Sequence, residues 1–160
     1  RQLGQSGGRG DAADEEGILC TVRTIPGCET LRAEDVQIAS TIYAVKPGDG
    51  SAREQAASCQ RVLGAGANIA VEYATKRYRS NLINWGMLPF QLEGEPAFGL
   101  DDVIFVPGVR RALEEDARSL PAYVIRDGKA IAFTLTLAPL TADERQILLD
   151  GCLINFYKRG

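Results

Sequence analysis

A glycine-rich turn at residues 47–57, PGDGSAREQAA, carries a hydroxyl and a guanidinium directly ahead of an alanine-rich segment. Gly48 and Gly50 allow left-handed backbone conformations and let a ligand approach the main chain closely. Ser51 is predicted at or near a helix N-cap, where free amides and the helix dipole favour an anion. Arg53 adds a planar fork of donors that matches a carboxylate. These residue types predict a small-anion site, most naturally for a carboxylate or a phosphate.

The same turn also has an interpretation without function. A serine at an N-cap after a glycine turn is common, and Arg53 followed by Glu54 can form a solvated ion pair. The turn is not a P-loop, because no Lys-Ser/Thr pair follows the glycines. It is not a nucleophile elbow either, because Ala52 and Arg53 follow Ser51. GAGAN at 64–68 lacks the third glycine of a dinucleotide fingerprint and is assigned to a turn.

Composition limits the classes of protein that fit. The chain has 160 residues, 45% hydrophobic and 24% charged, with a net charge of -3, which is typical of one soluble globular domain. The acidic balance argues against a nucleic-acid or membrane-surface role, and no signal peptide or membrane-length apolar run is visible. A cytoplasmic location is the expected default. Residues 1–16 are predicted to be a disordered tail or expression remnant of a piece cut from a longer protein, and residues 17–160 the domain.

Four cysteines and the absence of histidine narrow the possible chemistry. Cys20, Cys28, Cys59 and Cys152 form no CxxC pair, so a zinc site within the chain is not expected. A chain without histidine excludes Ser-His and Cys-His catalysis. The four thiols are predicted to be buried and structural, since a free cysteine behaves as a small hydrophobe. No metal ligand is assigned to this chain.

Periodicity and turn signals predict the elements around the turn. Alternating apolar residues predict strands at GILCTVRTI (17–25) and VQIASTIYAV (36–45). A helix is predicted over 52–63, then a buried strand within GAGANIAVEYA (64–74). A second helix is predicted at TKRYRSNLINWG (75–86), with Gly86 as its C-terminal stop.

The second half of the chain predicts an antiparallel hairpin and a capped helix. After a loop at 91–102, VIFV (103–106) is a brief strand and 108–119 a helix or exposed turn. Alternating strands over 121–137 join at Asp127-Gly128. A capping box then opens the terminal helix, with Thr141 as its N-cap and Glu144 three residues on. This order predicts an α/β domain with a mixed sheet, with helices on one face and one end, rather than a doubly wound nucleotide fold.

Two motifs together resemble one family. GDGSAREQAA (48–57) resembles the G-x-G-S-S-R-E-H-A-A signature of the swivelling domain of the aconitase family. SNLINWGMLPF (80–90) resembles the family's later N-L-x-x-x-G-L-L-P segment, and VIFVPG (103–108) fits the strand after it. The resemblance covers roughly residues 40–110 and is to a divergent aconitase-like hydratase. It implies a swivelling β/β/α domain that closes over a 4Fe-4S cluster carried by other domains.

The resemblance also implies roles for particular residues. Ser51 would be the catalytic base, and Arg53 would bind a substrate carboxylate. The remaining candidates are the substrate-binding Gly50 and Ala52 and the supporting Glu54, Gln55, Asn81 and Gly86. The implied reaction is the reversible dehydration of a hydroxy di- or tricarboxylic acid, with a cluster iron as Lewis acid. No cofactor is expected in this chain, because its cysteines lack the spacing of cluster ligands, and the domain alone is expected to be inactive.

Two departures from the signature leave the substrate open. Ala52 replaces the second serine, and Gln55 replaces the histidine. One alternative is the small subunit of a two-chain isomerase of the isopropylmalate or homoaconitate type. Another is a non-catalytic interaction module on the same fold, with Ala52 and Gln55 as signs of decay. The partners expected are the acid substrate and cluster-bearing domains of the same enzyme or a large subunit, with no nucleic acid and no membrane. The basic cluster KRYR (76–79) is predicted to be a solvated helix face, or a contact to an acidic domain or to substrate.

Overall fold

The first described element corrects the sequence prediction. The structure is a computed structural model that describes residues 12–158, and residues 1–11 of the predicted tail lie outside them. Helix α1 runs over Ala12–Val22, where a tail and a strand were predicted. Leu19, Val22 and Ile25 are buried at helical spacing. The last two join a small apolar cluster with Ile125, so the helix buries a stripe that period-two alternation had concealed.

The remaining elements follow the predicted order closely. The other helices are Arg53–Val62 (α2), Lys76–Asn84 (α3), Val109–Glu114 (α4), Ala142–Asp150 (α5) and Leu153–Lys158 (α6), with a short 3-10 turn at Ala33–Asp35. The strands are Ser40–Ala44 (β1), Ala65–Ala70 (β2), Leu88–Gln91 (β3), Val103–Phe105 (β4), Ser119–Arg126 (β5) and Lys129–Leu137 (β6). Strand β3 was not predicted, because LPFQ is short and contains a proline.

The six strands form one mixed sheet in the order β1-β2-β3-β6-β5-β4. Strands β1, β2 and β3 are parallel, and α2 and α3 make the two crossover connections between them. The other neighbours are antiparallel, and the β5–β6 hairpin turns at Asp127 and Gly128, whose φ values are 51° and 71°. The predicted mixed sheet and its hairpin are confirmed.

The helices lie on both faces of this hairpin rather than on one face and one end. Leu120 and Ala122 of β5 join the main core with Ile147 of α5. Tyr123 and Ile125, on the opposite face of the same strand, pack with α1. A further cluster joins α2 and α3 to the parallel strands and contains Ala57, Ala65, Tyr78, Leu82 and Met87. The candidate turn lies beside this third cluster.

Glycines allow a close contact between the ends of two helices. The predicted capping box of Thr141 and Glu144 is present at the start of α5. Gly151 then adopts a left-handed conformation, φ 89°, so the terminal segment forms two helices. A Cβ atom on Gly86, φ 74°, would lie 1.6 Å from the Gly151 carbonyl oxygen. Gly86 therefore ends α3, as predicted, and also admits the backbone that links α5 to α6.

The cysteines only partly follow their prediction. Cys28 is buried, and burial raises the pKa of its thiol. Cys152 is half-buried, while Cys20 and Cys59 are exposed. The prediction of buried thiols is therefore wrong for Cys20 and Cys59. Cys20 lies on α1, a helix that the sequence did not predict, and Cys59 lies on the solvent side of α2.

One ion pair makes the free energy of unfolding depend on pH in the acid range. Arg126 of β5 donates to both carboxylate oxygens of Asp102, and the Gly99 amide donates to Asp102 Oδ2 at 2.7 Å. The Arg126 hydrogen bonds, followed by that of Gly99, lower the pKa of Asp102 from 3.8 to about 2. Because the pKa is lower in the folded state, the pair stabilises the fold above pH 3.8 and this effect is lost as pH falls towards 2.

Asp102→Asn should therefore lower the free energy of unfolding near neutral pH and have little effect at about pH 2. Because the pair is solvent-accessible, the difference should be small. Urea unfolding of both proteins across this pH range measures it. An equal difference at both ends of the range would contradict this assignment.

Candidate functional site

The site turn, residues 45–52, joins β1 to α2 at the carboxyl end of the parallel strands. The Glu72 amide donates to the Val45 carbonyl at 3.1 Å, and the Ala74 amide donates to the Pro47 carbonyl at 3.0 Å. These bonds fix the turn against the segment that follows β2. The turn and the first residues of α3 therefore lie side by side.

Only one of the two motif glycines is needed for backbone geometry. Gly48 has φ 95°, and a Cβ atom there would lie 2.5 Å from Cβ of Tyr78. Gly50 lies in open space, and its φ is outside the left-handed region. The prediction of a left-handed conformation is therefore correct for Gly48 and wrong for Gly50. The Gly48 backbone rests directly against the Tyr78 side chain.

Ser51 is not the helix cap. The N-cap of α2 is Ala52, which has no capping side chain, and Ser51 precedes it as an exposed residue. Asn81 supplies the missing acceptor instead. With its amide oxygen and nitrogen assigned from their hydrogen-bond partners, the oxygen accepts from the Glu54 amide at 3.2 Å. The prediction of a cap by Ser51 is wrong because a side chain from α3 has taken that role. The Ser51 hydroxyl has no partner among residues 12–158.

Glu54 anchors the first turn of α2 to the end of α3. Its Oε1 accepts from the Trp85 indole nitrogen at 2.6 Å, and its Oε2 accepts from the Asn81 amide nitrogen at 3.0 Å. The Asn81 nitrogen also donates to the Arg77 carbonyl at 3.3 Å. The structure thus brings Glu54 and Asn81 together, while Gln55 is exposed and Gly86 directly follows Trp85 at the C-terminal end of α3.

Arg53 is held by its own turn. Its Nε donates to the Gly48 carbonyl at 3.0 Å, and the residue is half-buried. Across the described chain, the two terminal nitrogens of Arg53 and the main-chain amides of Arg53 and Gln55 have no acceptor. The guanidinium can therefore present its two terminal nitrogens end-on to a carboxylate. The exposed Ser51 hydroxyl lies two residues earlier on the same turn.

The basic cluster divides into exposed and buried residues. Lys76 and Arg77 are exposed in the first turn of α3, as predicted for a solvated face. Tyr78 is buried, and Arg79 donates to the Pro139 carbonyl at 3.2 Å and approaches Glu144 at 3.7 Å. The prediction is wrong for these last two. Tyr78 packs with Ala57 of α2 and Ala65 of β2, and Arg79 lies on the side where α3 packs against α5.

A second ion pair lies beside the site turn. Lys46 contacts Glu72 at 2.5 Å, and this hydrogen bond raises the pKa of Lys46. The ammonium charge is therefore already neutralised within the chain. Arg53, which directly follows the site turn, thus keeps its two terminal nitrogens available as donors.

Two tyrosines and a tryptophan pack around the site. The motifs alone did not assign any of these three residues to it. The Tyr73 hydroxyl donates its one proton to the Phe90 carbonyl at 2.9 Å, with the Asn68 carbonyl as a second acceptor at 3.2 Å, and burial raises the pKa of this hydroxyl. Trp85 bonds Glu54, and Tyr78 contacts Gly48. In a sequence, a tyrosine beside a site cannot be told from an ordinary core residue. Only the single tryptophan, which precedes Gly86, could have been singled out as a supporting residue.

The described residues do not fit an iron-sulfur cluster. No group of three or more Cys, His, Asp or Glu side chains converges within residues 12–158, and the chain has no histidine. Over the same residues, no helix is long and apolar enough to cross a membrane.

The part of the chain that matches a known family model includes the whole candidate site. Residues 31–95 match the family model described as the aconitase C-terminal domain. The aconitase-family resemblance is confirmed. The matched residues contain β1, β2, β3, α2 and α3, and with them every candidate site residue. A search of curated proteins found no match for the chain.

Proposed function

We propose that this chain is the swivelling domain of an aconitase-like hydro-lyase or isomerase that acts on a hydroxy di- or tricarboxylic acid. Ser51 supplies the base and Arg53 binds a substrate carboxylate, with Gly50 and Ala52 lining the turn. The observation that carries the proposal is the Arg53 fork. Its Nε is fixed at 3.0 Å on the Gly48 carbonyl, and its terminal nitrogens are free of acceptors within residues 12–158.

The proposed roles fit proton abstraction next to a carboxylate. The proposal requires that a carboxylate bound by Arg53 bring its neighbouring carbon within reach of the Ser51 hydroxyl, two residues earlier in the chain. The serine oxygen takes the proton of that carbon, and the electron pair forms the carbon–carbon double bond as the hydroxyl leaves. The proposal assigns departure of the hydroxyl to the partner domains or subunit.

A serine base requires stabilisation of its oxyanion. The amides of Arg53 and Gln55 are without acceptors in the described part of the chain and lie in the first turn of α2, where the helix dipole favours negative charge. Preorganised donors of this kind are most effective where water is excluded. Gly50, Ser51 and Ala52 are exposed, so closure against cluster-bearing domains or a large subunit would complete the site.

The departures from the family signature bear on specificity. Ala52 and Gln55 are both exposed at the start of α2, where a bound acid would reach them. Alanine offers no hydroxyl to a second substrate group, and glutamine bonds without titrating. The substrate is therefore expected to differ from citrate in the groups that face these two positions.

Replacing Arg53 by alanine should weaken acid binding by at least about tenfold, because hydrogen bonds to charged groups contribute roughly 1.5–3 kcal/mol. We would titrate the ¹⁵N-labelled chain with citrate, isocitrate, 2-isopropylmalate and sulfate, and follow the amide shifts of residues 50–55. Arg61→Ala is the matched control, since Arg61 lies at the other end of α2 and donates to the Ala65 carbonyl at 3.1 Å.

Equal weakening by both variants would show nonspecific charge binding and contradict the proposal. If no acid binds the chain assembled with its partner domains, the non-catalytic interaction module would replace the hydratase. A preference for 2-isopropylmalate would favour the two-chain isomerase.

A further inference from the structure

We infer that Tyr78 is the positioning residue of the site turn, and that it sets the orientation of Arg53 through Gly48. The side chain touches neither Arg53 nor Ser51 in the described contacts, so its effect is indirect. The inference deepens the proposed function and depends on it only for the meaning of Arg53 as a carboxylate ligand.

The first link is the contact between Gly48 and the ring. A Cβ atom on Gly48 would lie 2.5 Å from both Cβ and Cγ of Tyr78, and 2.7 Å from Cδ1. The main chain of the turn therefore lies flush against the ring, with no space between them. Any displacement of the ring moves Gly48.

The second link is the carbonyl of that glycine. The Gly48 oxygen accepts from Arg53 Nε at 3.0 Å. Because Nε fixes the plane of the guanidinium, the position of this oxygen decides where the two terminal nitrogens point. The ring, the glycine and the guanidinium thus form one chain of contacts.

The third link holds the ring itself. Tyr78 is 2% exposed, and its hydroxyl oxygen accepts from Gln60 Nε2 at 3.0 Å and from Asn68 Nδ2 at 3.2 Å. Its main-chain amide also donates to Thr75 Oγ1 at 3.1 Å. The ring is therefore fixed from α2, from β2 and from the start of its own helix.

Polar side chains hold the far end of the ring inside the core. Gln60 is half-buried and Asn68 is 1% exposed, and both amides lie within hydrogen-bond distance of the Tyr78 hydroxyl. A phenylalanine at position 78 would keep the ring and lose both bonds. The ring is therefore anchored at its hydroxyl as well as packed against Gly48.

The test follows the Arg53 Nε proton by NMR in the full chain without any acid. Tyr78→Phe should speed its exchange with water by about tenfold, because the hydrogen bond to Gly48 loosens. Tyr123→Phe, on β5, is the matched control and should leave the exchange unchanged. Tyr78→Phe should also weaken citrate binding by about the same factor.

Two outcomes would overturn the inference. One is Arg53 Nε exchange in Tyr78→Phe that stays within about twofold of the wild-type value, below the effect of one such bond. The other is an equal rise at the Val124 amide in β5, which would indicate general loosening. If Tyr78→Phe does not fold, Gln60→Leu, which keeps the ring, decides by the same two criteria. If the chain assembled with its partner domains binds no acid while Tyr78→Phe still releases Arg53, the proposed function is refuted and the positioning role stands.

Discussion

Gly86→Ala is expected to lower the free energy of unfolding by about 3 kcal/mol or more. The new Cβ atom would lie 1.6 Å from the Gly151 carbonyl oxygen and 2.5 Å from its carbonyl carbon. Both obstructing atoms are main chain, so no side-chain rotation can relieve the contact. The φ of 74° adds the strain of a left-handed alanine. Urea unfolding monitored by circular dichroism measures the change.

Gly94→Ala is the matched control for this substitution. Gly94 has φ 84°, but a Cβ atom there would meet nothing within 4 Å. It should therefore cost only the strain of the left-handed conformation, about 1 kcal/mol. Equal losses for the two variants would mean that α3 and the α5–α6 link do not meet as described.

Ser51→Ala should lower kcat of the assembled enzyme by about a thousandfold, the usual range for loss of a general base. KM should change little, because Arg53 and the free amides of α2 remain. The ultraviolet absorbance of the unsaturated product, formed from citrate, isocitrate or 2-isopropylmalate, gives both constants. This substitution removes the oxygen and leaves the backbone of the site turn unchanged.

Ser58→Ala provides the comparison for Ser51→Ala. Ser58 lies on α2, the helix that follows Ser51, and its hydroxyl bonds the Gln55 carbonyl at 3.1 Å, so its loss should leave kcat unchanged. An active Ser51→Ala enzyme would exclude Ser51 as the base while leaving Arg53 as a binding residue. A drop in both variants would point instead to disturbance of α2.

The parallel half of the fold was predictable because its local signals agree. Glycine turns, apolar runs and the stop at Gly86 all favour the same alternation of strands and helices over β1–α3. The first helix was not predictable in this way. Ile18, Cys20 and Val22 alternate like a strand, and only packing against the outer face of β5 selects a helix that buries Leu19 and Val22.

The sequence prediction missed strand β3 for another reason. Pro89 cannot donate to a ladder, and proline usually argues against an inner strand. Here the antiparallel pairing with β6 begins at Phe90, one residue later, so the missing donor is tolerated. The register of β3 against β6 depends on tertiary packing and cannot be predicted from the four residues of the strand.

The candidate site was predictable in its residue types and not in its supports. The motif drew attention to Ser51 and Arg53, and the structure describes one exposed and the other half-buried in a single turn. The cap was assigned to Ser51 because local rules consider only neighbours in sequence. In the fold, the acceptor comes from Asn81, which is distant in the chain and adjacent in space.

The bonds between Glu54, Asn81 and Trp85 join the start of α2 to the end of α3. The two helices and the site turn should therefore move as a rigid unit. Closing such a unit over a substrate loses little conformational entropy, because its backbone is ordered beforehand. The hinge of any closing motion would then lie outside these elements. The site turn would keep the same conformation before and after closure.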